Sequence, residues 1–338
     1  MGVYYKSKGG FIVKRILVLG VVMVLTLGLL VSSAAAATYT LRFNHVLGPN
    51  HPYHKGLQTW ADRVAERTNG DLQILVFHSS QLGVEEDILE QARQGVPVGQ
   101  NTDSARLGNY VPGIAVMNAP YFVTSIEEVV ALNDLELVQE WKQELADKYG
   151  FQILSFNWVQ GFRHFMTNKP ISKPEDLKGL RIRTAPAPIW QESVRALGAT
   201  PVAMNFGEMY SAIQQGALDG AELVYDNIAD QSLHEVLKYV NETGHFLLIN
   251  FQIVSASWFN QLPEEYQKIL VEECDRAGLE TSYFIQENTE KVKAEAQAKG
   301  MIIHTDIDLE AFKAAGQAAY DKMNLTEVNE QIKEALAQ

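Results

Sequence analysis

Two arginines one residue apart, Arg181 and Arg183 in K-G-L-R-I-R-T-A-P-A-P (residues 178–188), offer the most definite chemistry in this chain. A planar guanidinium fork donates two parallel hydrogen bonds to a carboxylate, a geometry that an ammonium cannot copy. Leu180 and Ile182 alternate with the arginines at the period of a strand with one apolar and one polar face. Pro186 and Pro188 have no N–H for a sheet ladder, so the strand must stop just after Arg183 and the chain restarts as a helix at Pro188. An arginine at the carboxyl end of a strand lies where open α/β sheets place their ligand crevices. An edge strand with two solvated arginines explains the same alternation, and the strand-end position favours Arg183 over Arg181.

Other candidates are less specific. Trp158, Phe162, Trp190, Phe206 and Tyr225 stand near predicted strand ends and helix starts, where core packing and ligand contact are both open. Asp103 and Glu222 can accept from ligand hydroxyls or an ammonium, or can serve as a helix cap or an internal bond. His45 follows the first strand, suited to a cleft rim or to a loop contact. His51 and His54 in H-P-Y-H suggest a metal, but Pro52 breaks the geometry and no Cys or carboxylate completes the set, so no metal is expected. Neither G-x-S-x-G nor H-E-x-x-H occurs, so catalysis has no support. The residues after the first strand, N-H-V-L-G-P, lack a glycine-rich phosphate loop, and no cofactor is expected.

The elements that must hold these side chains read as α/β. Residues 38–44, 72–77 and 96–102 predict strands, with helices over 52–68 and 84–94 between them, a doubly wound beginning. A helix is predicted over 126–149, then strands at 151–157 and 163–168. The arginine strand and a helix to Leu197 follow, then a strand at 200–204, a helix over 206–215 and a strand at 221–225. Residues 246–257 are mainly apolar without a breaker, long for one strand and suited to crossing between domains. From Pro263 a helical pattern runs to about Lys299, roughly 50 Å at 1.5 Å per residue, long enough to brace two domains. A strand over 301–305 and helices over 308–322 and 325–337 close the chain.

Length and composition agree. The chain has 338 residues, 46% of them hydrophobic, enough for two domains with buried cores. Lys6, Lys8, Lys14 and Arg15 precede an apolar run at 16–31 and then small residues, the layout of a secretory signal cleaved after Ala36. Without that leader, 24 basic residues face 41 acidic ones, a net charge of −17. Nucleic acid and anionic membrane are poor partners for such a surface, whereas a few gathered arginines can still hold a small anion. Cys274 is the single cysteine and can form no internal disulfide. A periplasmic protein without stable membrane insertion is expected.

Taken in order, S-S-Q-L-G (79–83), D-L-K-G-L-R-I-R (176–183), L-G-A-T-P-V-A-M (197–204), F-G-E-M-Y-S-A-I-Q-Q-G-A-L-D-G-A-E (206–222) and L-P-E-E-Y-Q-K-I (262–269) resemble the solute-binding proteins of tripartite ATP-independent periplasmic (TRAP) transporters. The resemblance implies a two-lobed periplasmic-binding-protein-like fold with hinge strands and a long helix spanning both lobes. Lobe I would take residues 37–160 and about 249–288, and lobe II residues 161–248 and about 289–338. It implies that Arg183 pairs with a ligand carboxylate, that Arg163 in G-F-R-H-F assists, and that Phe206 lines the cleft. Trp158, His45, Tyr225, Asp103 and Glu222 complete the candidate ligand-binding set. Leu223 stands where sialic-acid-binding members carry an asparagine, and Asp103 where some carry glutamate, which argues against that ligand. The function implied is capture of a small organic acid and its delivery to TRAP membrane permease subunits. A receptor for an ATP-driven importer or a sensor, or a secreted hydrolase or lyase, are the other readings.

Overall fold

The computed structural model describes residues 1–3 and 37–337, so the predicted leader lies outside the described residues. Contacts divide the chain after Ala37, and the fold is that of the unit that begins at Thr38.

The chain opens as β1 (Tyr39–Asn44), α1 (Pro52–Arg67), β2 (Leu72–Phe77), α2 (Glu85–Arg93) and β3 (Val98–Asp103), followed by the single turn α3 (Ser104–Leu107). In place of one helix over 126–149 there are two, α4 (Ile126–Leu132) and α5 (Glu136–Tyr149). Asn133 and Asp134 separate them, short polar side chains that compete with helical backbone bonding. Gly150, at φ 78°, ends α5 in the left-handed conformation that glycine adopts without strain.

Next comes β4 (Phe151–Thr167), one 17-residue strand where the sequence predicts two. Its partner β8 (Tyr239–Ser255) is equally long and antiparallel to it, so both predicted segments pair with one neighbour. Register shifts between Val159 and Phe162 and between Arg163 and Phe165 absorb the extra residues around Gly161. β8 begins seven residues before the predicted start because its first part is polar. Asn241 is fully buried there, yet it donates to the Phe165 carbonyl (2.9 Å) and to Thr167 Oγ1 (2.8 Å) and accepts from the Ile171 N–H (2.8 Å). With every atom partnered, burial of that amide carries no desolvation penalty.

Between these long strands lie β5 (Arg181–Thr184), α6 (Pro188–Ala196), β6 (Thr200–Ala203), α7 (Met209–Gln214), β7 (Gly220–Leu223) and α8 (Asp226–Asp230). After β8 follow α9 (Ala256–Phe259), α10 (Glu264–Ala298), β9 (Ile302–His304), α11 (Leu309–Met323) and α12 (Thr326–Leu336). The sheet order is β2-β1-β3-β8-β4-β7-β5-β6, with β9 beside the start of β8. Within the described sheet, two wings of mostly parallel strands thus meet at β4 and β8, each of which runs through both.

The 35-residue helix α10 braces the wings. Ile269, Leu270 and Cys274 pack in the first wing's core with Leu41, Phe43 and Trp60, while Ala296 packs with Met209, Ala221 and Val240 of the second. At the crossing it is pinned to β4: Val159 N–H donates to Ser282 Oγ (2.7 Å), and Trp158 Nε1 donates to the Cys274 carbonyl (3.2 Å). A Cβ at Gly278 would lie 2.5 Å from that indole nitrogen, so the glycine makes the notch that admits it. The terminal helices touch both cores, Phe312 packing with Phe165 and Ile182, and Tyr320 and Ile332 with the first wing.

Candidate functional site

β5 is only four residues long, and its end delivers Arg183 into a cavity of about 250 Å³ between the wings. The guanidinium is 3% exposed; its Nε donates to the Met204 carbonyl (2.9 Å) and it lies 5.8 Å from the Phe206 ring centre. Those contacts aim the fork without occupying it. Arg181 pairs with Asp219 on the exposed side of the strand (2.9 Å) and Arg163 with Glu222, whereas Arg183 has no ion-pair partner among the described residues. Burial and then the like charge of Arg163 pull the Arg183 guanidinium down to about 9, still charged at neutral pH. An anion in the cavity would relieve that cost.

Arg163, on β4, also faces the cavity, but its Nε and Nη2 are engaged by both carboxylate oxygens of Glu222 on β7. Thr184 Oγ1 donates to the same carboxylate (2.6 Å) and His245 stands 3.8 Å from it. Burial pushes the Glu222 pKa up, and Arg163 and His245 more than offset it, leaving the group below the usual carboxylate range. Glu222 is fully buried and does not reach the cavity, contrary to its expected place among the ligand contacts. It orients Arg163, whose Nη1 has no acceptor among the described residues.

Asp103 does line the cavity, but both its oxygens are taken: it caps α3 by accepting from the Arg106 N–H (2.8 Å) and pairs with the Arg106 guanidinium. Arg106 is also within 3.2 Å of Glu85 and 2.9 Å of Glu86. With three carboxylates on one arginine, one is poorly compensated. Burial above all lifts the Glu85 pKa to about 8, despite Arg106.

Three expected contacts lie elsewhere. Trp158 is fully buried against Tyr53 and α10, as described, because the bulged stretch of β4 turns it away from the cleft. His45 is buried with Nε2 3.0 Å from His54 Nδ1, and the following residues, Val46 and Leu47, reach the cavity in its place. Tyr225 bonds Glu242 (2.8 Å) and stands under Lys293, facing a different cavity behind β4.

The cleft contains partners that sequence reading did not single out. Trp190, one of five undifferentiated aromatics, is 2% exposed, has the guanidinium carbons of Arg163 and Arg106 4.8 and 5.8 Å from its ring centre, and its Nε1 has no acceptor among the described residues. Asn227 Nδ2 and Asn250 Oδ1 are likewise buried without a partner. All three line the cavity. Asn250 did carry a signal: with Gln252 it interrupts the apolar run of β8 at a period of two, a polar face on a buried strand. Asn227 carried none. The site therefore gathers one unpaired guanidinium, two orphaned donors and an orphaned acceptor, with Phe206 and Leu223 as apolar wall.

Comparison with known proteins agrees with this geometry. The family described as bacterial extracellular solute-binding protein, family 7, matches residues 43–327. The 2,3-diketo-L-gulonate-binding periplasmic protein YiaO of Escherichia coli is 25% identical over 285 residues, 84% of this chain and 86% of that protein. A TRAP periplasmic solute-binding protein of Escherichia fergusonii, solved in an apo open form, is 34% identical, with 88% of this chain and 99% of that one covered and a TM-score of 0.77. Another, from Ochrobacterium anthropi with bound L-fuconate, is 28% identical and covers 89% of this chain and 100% of its own, with a TM-score of 0.85. Among the described residues no helix is long and apolar enough to cross a membrane. With the matched family covering most of the chain, and the fold and cleft in agreement, this chain belongs to the bacterial extracellular solute-binding proteins of family 7, the solute-binding components of TRAP transporters.

Proposed function

We infer that the protein captures a small hydroxylated carboxylate between its lobes and hands it to a TRAP permease in the periplasm. The observation that carries this reading is the buried Arg183 fork with no protein carboxylate to fill it. Charge-assisted bonds contribute about 1.5–3 kcal/mol each, a large share of the roughly 8 kcal/mol of a micromolar complex. The free edge of Arg163 assists, and Phe206 packs against the ligand body.

The orphaned atoms narrow the class. Trp190 Nε1 and Asn227 Nδ2 need acceptors and Asn250 Oδ1 needs a donor, and a chain of hydroxyls supplies both. Sugar acids such as the L-fuconate and 2,3-diketo-L-gulonate of the relatives meet that description. Leu223 leaves an apolar patch on one side of the ligand.

Closure over the ligand is a population shift, driven by contacts available only when both lobes face the same molecule. The family consists of binding proteins. A thermal-shift screen over sugar acids, hydroxy acids and dicarboxylates, followed by calorimetry, tests the reading. Saturable binding of a hydroxylated acid, recovered unchanged, is expected; absence of any stabilisation across the panel, or turnover of the acid, overturns it.

A further inference from the structure

A second cavity, of about 440 Å³, lies behind the hinge, on the far side of β4 from the cleft, and is the one that Tyr225 faces. Its floor is the irregular stretch of β4 and β8, with Val159, Phe162 and Leu247, and its sides are α10 at Ile285 and Thr289 and the start of α4 at Ile126. Gly161 (φ 98°) and Gly244 (φ 52°) sit in that floor, where the strands bend between the wings. Phe162 is 37% exposed, unusual for a large apolar side chain on a central strand. Gln160, itself 4% exposed, lines this cavity and the cleft alike.

Charge decides what such a cavity prefers. Lys293 is neutralised by Glu242 (2.8 Å) and Glu290 (2.9 Å), and Lys313 by Glu310 (2.8 Å). His164 accepts from the Gly244 N–H through Nδ1 (3.0 Å), and burial keeps it uncharged. Asp226 is the exception: it lines the cavity and has neither an ion-pair partner nor a hydrogen bond among the described residues. Burial and the neighbouring Asp230 and Glu295 raise its pKa to about 6, so it remains ionised at neutral pH.

We propose that this hinge cavity binds a small amphipathic amine, with the ammonium on Asp226 and an aromatic or branched apolar body against Phe162, Val159, Leu247 and Ile285. Because the walls come from both wings, the occupant stabilises the present arrangement and so raises affinity in the cleft; by linkage, a cleft ligand strengthens amine binding by the same factor.

The probe is 2-phenylethylamine, with 3-phenylpropionate as the same body of opposite charge, each titrated alone by ligand-observed NMR into the mature protein, the 3-phenylpropionate into Arg183→Ala so that the cleft cannot take its carboxylate. Saturable binding of the amine is expected, at least tenfold tighter than of the acid. Asp226→Asn should weaken it about tenfold, and Gln286→Trp, at an exposed position on the rim, should block it without touching the core. Arg183→Ala, which disables the cleft, should leave amine binding unchanged, so failure at one site is distinguishable from failure at the other. Equal binding of amine and acid, no saturation by either, or loss of amine binding in Arg183→Ala overturns the proposal. So does amine binding at full strength in Asp226→Asn.

Discussion

The backbone N–H of Gly48 donates to both carboxylate oxygens of Asp230, at 3.0 and 3.2 Å, across the mouth of the cleft. Gly48 follows Val46 and Leu47, which wall the cavity from the first wing, and Asp230 ends α8, whose Asn227 walls it from the second. A Cβ at Gly48 would overlap Asp230 Oδ1, so the approach requires glycine. The contact is a latch between the lobes. Gly48→Ala should therefore weaken ligand binding by about tenfold, the scale of one bond to a charged group. The melting temperature of the ligand-free protein should be unchanged. Calorimetry and a melting curve on the same sample check both halves; a variant with wild-type affinity would rule out the latch.

Arg183→Ala should cost about 2–5 kcal/mol of affinity for the cognate acid, the range for removing one partner of a desolvated charge pair. Arg183→Lys should recover only part of it, because an ammonium cannot donate the two parallel bonds. A loss under threefold in Arg183→Ala, measured by calorimetry, would remove Arg183 from the ligand site.

Glu222→Gln separates orientation from contact. The carboxylate is fully buried and out of reach of the cavity, so the variant should lose stability first, by about 3–5 kcal/mol, as when a buried pair loses one member. Urea denaturation reads that loss. Binding should weaken only as far as Arg163 is released from its place, and an affinity loss with unchanged stability would instead mark Glu222 as a direct ligand contact.

Acid sensitivity should begin near pH 6.5. His51 is buried, accepts the Tyr53 N–H through Nδ1 (3.2 Å) and leaves Nε2 without a partner; burial lowers its pKa to about 3. A base whose pKa is depressed on folding contributes stability that is fully present above its unfolded pKa of about 6.5. That stability is lost as pH falls from there toward 3, at about 1.4 kcal/mol per pH unit. His51→Asn keeps a residue suited to capping α1 and removes the titration. Denaturation at pH 7.5, 6 and 5 should show the wild type losing stability relative to the variant, and parallel curves would refute the assignment.

Much of this architecture was legible from local pattern. Period-two and helical spacing, with Asn69-Gly70, Gly150, Gly216 and Gly300 as stops, place β1, α1, β2 and α10 within a residue or two, because those boundaries depend on backbone conformations that a few neighbouring residues impose. Arg183 was legible for the same reason: the prolines that follow it end the strand and leave its side chain at the sheet's carboxyl edge. The motifs from S-S-Q-L-G to L-P-E-E-Y likewise identify the family without coordinates.

Tertiary structure decided which polar groups are spent inside the protein and which are left for a ligand. Arg163 and Glu222 are 59 residues apart and become partners only because β4 and β7 are paired, which turns one expected ligand contact into the support of another. Trp158, His45 and Tyr225 lie near strand ends as the pattern says, but Trp158 packs on Tyr53, His45 on His54, and Tyr225 bonds Glu242, partners that the local sequence does not fix. Asn227 and Asn250 enter the site through the crossing of β8 and the placement of α8, which no local window contains. Local sequence encodes torsion angles and side-chain character. Whether a buried donor is satisfied depends on the distances that sheet order creates between remote residues, and here those distances leave Arg183 unpaired in the cleft.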